Sequence, residues 1–460
     1  MTADPKDLSM DVVVIGAGMS GLCAALAAAA QGASVTVLAK MPRAGGNARV
    51  SAGFFLGATN FDALHAYVPD GDPALQSAFC EDYAPAVAWL EAQGLPVDPL
   101  VDFGDFRVIR PMGLGQPGAR HPFTDRMIEL ATARGVTLRR DARVTAIARE
   151  GGVAREGTLF RIDIEGGAPL AARSVIIATG GFAGSPALLA HYMGPAASAL
   201  RPRTLPGASG DGLQLAQSLG AATAGDMQAF YGHTMADCHL EPHQWQPMTP
   251  YFARLGILVN RDGRRFIDES VSLLEELNPQ AAFRQPGGKF WLMFDHRILT
   301  GEGLDAGTSA TPPDWLDKAR AIGAPITEAA SLNALCDLMG NEGLPGAALL
   351  AEIGRYNAAV RAGSATELDP ARRQNAVALE RAPFYALRCV AAITATCGGI
   401  AVDPQCRVLD GGRRPVPGLH AAGVDAGGIW GKTYGGFLSW SLVSGRRAGR
   451  QAAQHAQSST

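Results

Sequence analysis

Three neighbouring segments decide the fold: Asp11-Val-Val-Val-Ile15, then Gly16-Ala-Gly-Met-Ser-Gly21, then the Ala-rich run Leu22 to Gln31. A short continuous apolar run reads as a strand buried on both faces. The Ala-rich run reads as a helix, ended by Gly32. Ser34-Val-Thr-Val-Leu38 is a second strand. Strand, glycine turn, helix and strand within about thirty residues are what a dinucleotide-binding unit requires. Gly16 permits the tight turn, Gly18 offers no Cβ to block a pyrophosphate, and Gly21 lets helix and strand approach. The helix N-terminus, with Ser20 in its first turn, supplies N–H groups and partial positive charge. An acidic residue usually follows the second strand to bind a ribose hydroxyl. Here Ala39-Lys40 stands in its place, so Lys40 is either a phosphate contact or a solvated strand-end lysine.

Further out, Gly45-Gly-Asn-Ala-Arg-Val-Ser-Ala-Gly53 is a glycine-rich loop. Stretches 73–93 and 123–135 read as helices, and Val144 to Ala148 and Leu159 to Ile164 alternate like strands of a small antiparallel sheet. Ser174-Val-Ile-Ile-Ala178 is another buried strand, closed by Thr179-Gly-Gly181. Gly207-Ala-Ser-Gly-Asp-Gly212 precedes another helix. Aromatic, His, Pro and Met residues become denser after about 226, and the buried-strand texture returns near Thr394. The expected division is a discontinuous first domain, 1–225 and 391–460, interrupted by a second, 226–390. The end, Gln457 to Thr460, reads as a frayed tail.

The 460 residues carry a net charge of −3 and 47% hydrophobic residues. That balance excludes intrinsic disorder and argues against nucleic-acid binding, which needs a basic face. Seven scattered cysteines form no CxxC pair, which reads as free thiols in a reducing compartment. No HExxH spacing suggests a metal site. Met1 to Asp11 shows no leader pattern, and no apolar run is long enough to span a bilayer. A cytoplasmic protein is expected.

The motifs GAGMSG, GGNARVSAG, SVIIATGGFAG, GASGDGLQLAQSLGA, GILVNRDGRRFIDES, TATCGGIAVD, GLHAAGVDAGG and YGGFLSWSLVSGRRAGR occur in this order. Together they resemble the fumarate reductase/succinate dehydrogenase flavoprotein family. They are nearest its tricarballylate dehydrogenase-like and 3-ketosteroid dehydrogenase-like branches. The resemblance implies an α/β fold: a discontinuous Rossmann-like FAD-binding domain with an inserted α+β capping domain. It also implies hydride transfer between flavin N5 and a substrate C–C bond. No His precedes the glycine loop in Met41-Pro-Arg-Ala-Gly-Gly-Asn47, so the FAD is expected to be non-covalent.

The resemblance assigns cofactor contacts to Gly16, Gly18, Ser20, Gly21, Gly45, Gly46, Asn47 and Ser51. Lys40 joins them from its position. The backbone of Val144 would meet adenine, and Ala178, Thr179, Gly180 and Asp211 would lie on the FAD side. Gly423 and Asp425 match a Gly-Glu pair near the ribitol. Gly436, Phe437 and Leu438 open a last helix, Phe437 to about Gln454, whose N-terminus would face the flavin N1/O2 edge.

The substrate side departs from the dicarboxylate enzymes of that family. Ala395 stands where they have a His, Lys432 or Thr433 where they have an Arg, and no Arg closely follows Arg265-Phe-Ile-Asp-Glu269. A buried substrate carboxylate needs a partner, so fumarate and succinate are disfavoured. Phe54, Phe55 and Trp430, with Trp245, suit an apolar or ring-bearing carbonyl substrate. His233 lies in a stretch resembling the family's Q-x-H-P-T and is a further substrate-side candidate. Dehydrogenation beside a carbonyl needs a base and an oxygen-polarising donor. Tyr434, Lys432 and Tyr231 are the candidates. Arg265 looks structural, Arg49 a cofactor or substrate ligand, and Arg446, Arg447 and Arg450 a solvated face.

The expected function is α,β-desaturation or enone/enoate reduction of a small molecule, with a separate electron donor or acceptor because no haem-attachment CxxCH is present. One alternative is a tricarballylate-type polycarboxylate dehydrogenase using Arg49, Arg254 or Arg284. Another is a flavin-binding subunit or sensor without turnover.

Overall fold

The computed structural model describes residues 10–95, 97–98, 101–103, 105–109, 122–150, 159–270, 272, 275–304 and 311–458. Residues 1–9 of the leader reading and 459–460 of the tail reading lie outside the described residues. The chain is mixed α/β and divides into two compact units. One comprises Met1–Tyr192, Thr204–Phe230 and Ala395–Thr460, and the other Met193–Arg203 and Tyr231–Thr394.

The first unit is built on an eight-stranded sheet. Its central strand, Met10–Ile15, pairs in parallel with Val35–Leu38 on one side and Leu170–Ile177 on the other. Val12, Val13 and Val14 have no exposed surface, which is why the run is uniformly apolar rather than alternating. Thr137–Arg139 extends the sheet beyond Val35–Leu38, and Pro415–Ala421 extends it beyond Leu170–Ile177. Val144–Arg149 and Phe160–Ile164 form an antiparallel pair that continues from Leu170–Ile177.

Helix Met19–Ala29 follows the first strand, and the last helix runs Phe437–Ser458, four residues beyond its expected end. The two pack closely because small residues face each other. A Cβ on Gly445 would lie 2.4 Å from the Ser20 carbonyl oxygen, and one on Gly449 2.2 Å from that of Ala24. The expected solvated face of the last helix holds for the exposed Arg450 and is corrected for Arg446 and Arg447. Arg446 and Arg447 both donate to the Asp82 carboxylate, at 2.9 and 3.0 Å, and Arg446 is buried. Asp82 belongs to helix Pro73–Ala92, so these arginines pin the last helix to it.

The second unit holds a six-stranded sheet organised around Phe384–Thr396. Phe290–Asp295 pairs antiparallel with that strand and is buried along its whole length. Ile257–Asn260 pairs antiparallel with Phe290–Asp295. The boundaries fall at Phe230/Tyr231 and Thr394/Ala395, a few residues beyond those read from composition. Met193–Arg203 also belongs with this unit, because Arg201 and Pro202 pair in parallel with Ala392 and Ile393. Composition along the chain carries no trace of that pairing. Arg265 is structural in its contacts: it and Arg372 share the buried Glu269 carboxylate at 2.7 and 2.8 Å.

Candidate active site

The three glycines of the first turn do different work. Gly16 has φ +113°, and a Cβ there would lie 2.0 Å from the Ala178 carbonyl oxygen. A Cβ on Gly21 would lie 1.9 Å from the Gly16 carbonyl oxygen. Both positions are needed for packing. A Cβ on Gly18 would meet nothing within 4 Å. Gly18 also begins helix Met19–Ala29, which has no capping side chain and no acidic residue in its first turn. Open space beside uncapped N–H groups is what a pyrophosphate fits. The second glycine loop lies against the first: Gly45 N–H donates to the Ala17 carbonyl at 2.8 Å, and a Cβ on Gly46 would be 3.0 Å from Gly18 Cα. Ser20, buried, lies under Gly423, whose absent Cβ would be 2.5 Å from the Ser20 Oγ.

Several expected cofactor contacts use their side chains within the protein. Asn47 donates from Nδ2 to Thr204 Oγ1 at 2.6 Å, and its Oδ1 accepts from Leu205 N–H at 2.7 Å. Both ends of its amide are engaged in holding the 204–205 segment. Ser51 Oγ donates to the Ala48 carbonyl at 2.8 Å. Arg49 is buried and donates to the Ala44 carbonyl at 3.0 Å. Lys40 is part-exposed, and its Nζ donates to Ser209 Oγ at 2.5 Å and pairs with Asp211 at 3.2 Å. Arg143 reaches the same carboxylate at 3.1 Å. Burial opposes the Asp211 charge, yet hydrogen bonds from Arg143 and Ser209 and the Lys40 charge hold its carboxyl below the usual range. Val144 is buried on its strand.

Asp425 is fully inside the first unit. Its carboxylate accepts from the Thr179 hydroxyl at 3.0 and 3.1 Å, from Gly180 N–H at 2.8 Å and from Gly181 N–H at 3.2 Å. Thr179 Oγ1 in turn accepts from Gly212 N–H at 3.2 Å. Burial pushes the Asp425 carboxyl up, against these hydrogen bonds. These contacts tie together three loops: 178–181, 209–212 and 423–425. Ala178, Thr179 and Gly180 are shaped by that tie.

Near the last helix, Gly436 has φ +117°, and the helix begins at Phe437 and Leu438. The Tyr434 hydroxyl accepts from Phe437 N–H at 2.9 Å, so this phenol caps the helix N-terminus. Trp430 is fully buried, edge-on to Phe79 at 5.4 Å between centroids and beside Tyr434 at 6.4 Å. Its ring packs among these aromatic neighbours. Phe55 is likewise fully buried, with its carbonyl accepting the Tyr83 hydroxyl at 2.7 Å. Phe54, by contrast, is 47% exposed. Lys432 N–H donates to Asp70 at 3.1 Å, and its side chain is exposed. Thr433 Oγ1 donates to the Tyr67 carbonyl at 2.6 Å.

In the second unit, Tyr231 Oη is 2.8 Å from His233 Nε2, and His233 Nδ1 is 3.2 Å from Glu275 Oε1. Glu275 Oε1 also accepts from Thr234 N–H at 2.9 Å. His233 and Glu275 are both buried. Burial pushes Glu275 up to about 8, and burial followed by the Arg203 charge depresses His233 well below its ordinary value. Near neutral pH both are therefore uncharged, and the pair sits behind a phenol. Glu275 escaped the sequence reading because it lies 42 residues from His233. Trp245, by contrast, donates from Nε1 to the Leu240 carbonyl at 3.1 Å within its own loop. Arg284 donates to the Gln280 carbonyl at 2.7 Å.

The family model described as "FAD binding domain" matches residues 11–436. The chain is 28% identical to a fumarate reductase (cytochrome) of Shewanella frigidimarina, over 99% of this chain and 79% of that protein. It is 27% identical to a 4-oxocyclohexanecarboxylate 2-dehydrogenase of Sinomonas cyclohexanicum, over 96% and 93%. Its fold matches a 3-ketosteroid-Δ4-(5α)-dehydrogenase of Rhodococcus jostii RHA1 with a TM-score of 0.72 at 23% identity, covering 97% of both chains. The open face of Gly18, the uncapped helix and the strand register fit the cofactor that this match implies. The chain belongs to the FAD binding domain family and is an FAD-dependent oxidoreductase acting on CH–CH bonds.

Proposed function

We propose that the protein desaturates, or in reverse reduces, a C–C bond next to a carbonyl or carboxyl group in an apolar or ring-bearing substrate. The observation that carries this reading is the Tyr231–His233–Glu275 chain, with links of 2.8 and 3.2 Å. Bound FAD supplies the hydride acceptor or donor. The protein must then handle one proton at the carbon beside the carbonyl. Near neutral pH the uncharged Glu275 carboxyl donates to His233 Nδ1. His233 Nε2–H then donates to the Tyr231 oxygen, which aims the phenol proton outward. With Glu275 ionised each donor reverses, and Tyr231 can accept a proton while its own passes to His233 and the Nδ1 proton to Glu275. Tyr231 is the proton-transferring residue in this reading, and His233 and Glu275 position it. Tyr434 and Lys432 are assigned to polarising the carbonyl oxygen.

One relative, which acts on a ring ketone, supports this substrate class, while another acts on fumarate. The replacements Ala395 and Lys432 or Thr433 favour the ring-bearing class over dicarboxylates. The FAD is held without a covalent link and exchanges electrons with a separate carrier. No described helix is long and apolar enough to cross a membrane.

The test is anaerobic photoreduction of the FAD-loaded enzyme, followed by enones and enoates with ring and open-chain skeletons. One or more of them should reoxidise the flavin. Tyr231→Phe should lower that rate by roughly 100-fold or more while flavin content stays unchanged. A Tyr231→Phe enzyme as fast as wild type removes the proton assignment. Failure of every compound in either direction supports a flavin-binding protein without turnover instead.

A further inference from the structure

Arg203 is the last residue of the short segment that joins the second unit, and it is 8% exposed. Its backbone N–H donates to the Ile393 carbonyl at 2.8 Å, which fixes the residue on the sheet. Nη1 donates to Thr394 Oγ1 and Nη2 to Thr249 Oγ1, both at 3.3 Å. Nε is buried with no acceptor. A guanidinium has five N–H donors and a full positive charge. Here two donors meet neutral hydroxyls at long range, and no carboxylate pairs with it among the described residues.

Other arginines of the same unit show what a buried guanidinium normally obtains. The fully buried Arg265 and Arg372 share Glu269 at 2.7 and 2.8 Å, and even the part-exposed Arg201 and Arg388 share a carboxylate, Asp237, at 3.2 and 3.0 Å. Glu275 does not fill the gap, since burial keeps it protonated up to about 8. Burying an unpaired charge costs several kcal/mol in general, and a protein keeps one where a ligand completes it.

We propose that Arg203 is the receptor for a single carboxylate of the substrate, making the physiological substrate a monoanionic enoate or oxo acid. A carboxylate carries the charge and the paired acceptors that this guanidinium lacks. Thr249 and Thr394 flank it as orienting hydroxyls, and His233 stays neutral beside it, so the positive charge remains available to the ligand. The inference refines the proposed function and rests on it for the statement that the ligand is the substrate.

The test is calorimetric titration of the FAD-loaded enzyme with crotonate, cinnamate and cyclohex-1-enecarboxylate, each beside its primary amide. The amide keeps the skeleton and removes the charge. At least one carboxylate should bind wild type ten-fold or more tightly than its amide. In Arg203→Gln that preference should collapse to within about two-fold, with the affinity for the amide little changed. Arg203→Lys, which keeps the charge without the planar fork, should fall between, and it stands in if Arg203→Gln does not fold. No carboxylate preference in wild type overturns the proposal, as does a preference that survives both substitutions. Carboxylate binding through Arg203 without any flavin turnover leaves the receptor in place and removes the proposed reaction instead.

Discussion

The Asp425 carboxylate accepts the N–H of Gly180 at 2.8 Å, joining two loops 245 residues apart in sequence. The loop 178–181 follows strand Leu170–Ile177 and lies against Gly16 of the first turn, so its shape depends on a side chain from the far end of the chain. Asp425→Asn should weaken FAD retention more than it weakens the fold. An amide places a donor where three N–H or O–H donors already converge, and each lost buried bond costs about 1–3 kcal/mol. The expected result is a flavin-to-protein ratio well below wild type after gel filtration, with helix content by circular dichroism unchanged. Full retention of FAD would show that the loop holds its shape without this tie.

The glycines of the first turn separate binding from packing. Gly18→Ala adds a methyl group into open space, so the apoprotein should melt close to wild type while FAD affinity drops ten-fold or more. Gly21→Ala drives a methyl group to 1.9 Å from a carbonyl oxygen and should yield little soluble protein. Flavin fluorescence titration and thermal melting of both variants check the pair. Equal FAD affinity in Gly18→Ala would move the pyrophosphate away from that turn.

What was legible in the sequence was local. The strand, turn and helix of residues 10–38 follow from a continuous apolar run, glycine spacing and Ala content, each acting within a few residues. What was not legible was pairing at long range. Lys40 lies 171 residues from Asp211, so its position at the strand end invited a phosphate or solvent reading when its partner is a carboxylate. Trp430 and Phe55 read as substrate surface because aromatic residues next to glycine loops suit stacking, yet both turned inward to fill the core. The assignment of Met193–Arg203 to the second unit depends on a two-residue strand pairing that leaves no periodicity.

The same long-range logic makes the last helix sensitive to one surface-like residue. Asp82→Asn removes the charge shared by Arg446 and Arg447, and leaves Arg446 buried beside a neutral amide. Breaking a buried pair from one side costs roughly 3 kcal/mol. The urea midpoint should fall accordingly, and the loss should shrink when Arg446→Met accompanies it. An unchanged midpoint in Asp82→Asn would show that the two arginines are held by solvent instead.

The buried pair behind Tyr231 gives stability a predictable pH dependence. The Glu275 carboxyl is pushed from its ordinary 4.5 to about 8 by burial. Between those values the folded protein keeps a proton that the unfolded chain has released. Stability from this group is therefore full below 4.5, falls as pH rises, and levels off above about 8. His233 acts oppositely: its depressed value costs stability as pH falls below 6.5. Between 6.5 and 8 the Glu275 contribution dominates this pair, and wild type should lose roughly 2 kcal/mol relative to Glu275→Gln across that interval. Urea unfolding of both proteins at several pH values measures the difference directly. Parallel curves for the two proteins would mean that Glu275 is ionised in the fold. His233 Nδ1–H would then donate to the carboxylate and Tyr231 O–H to His233 Nε2, which makes the phenol a relayed base at neutral pH rather than a relayed acid.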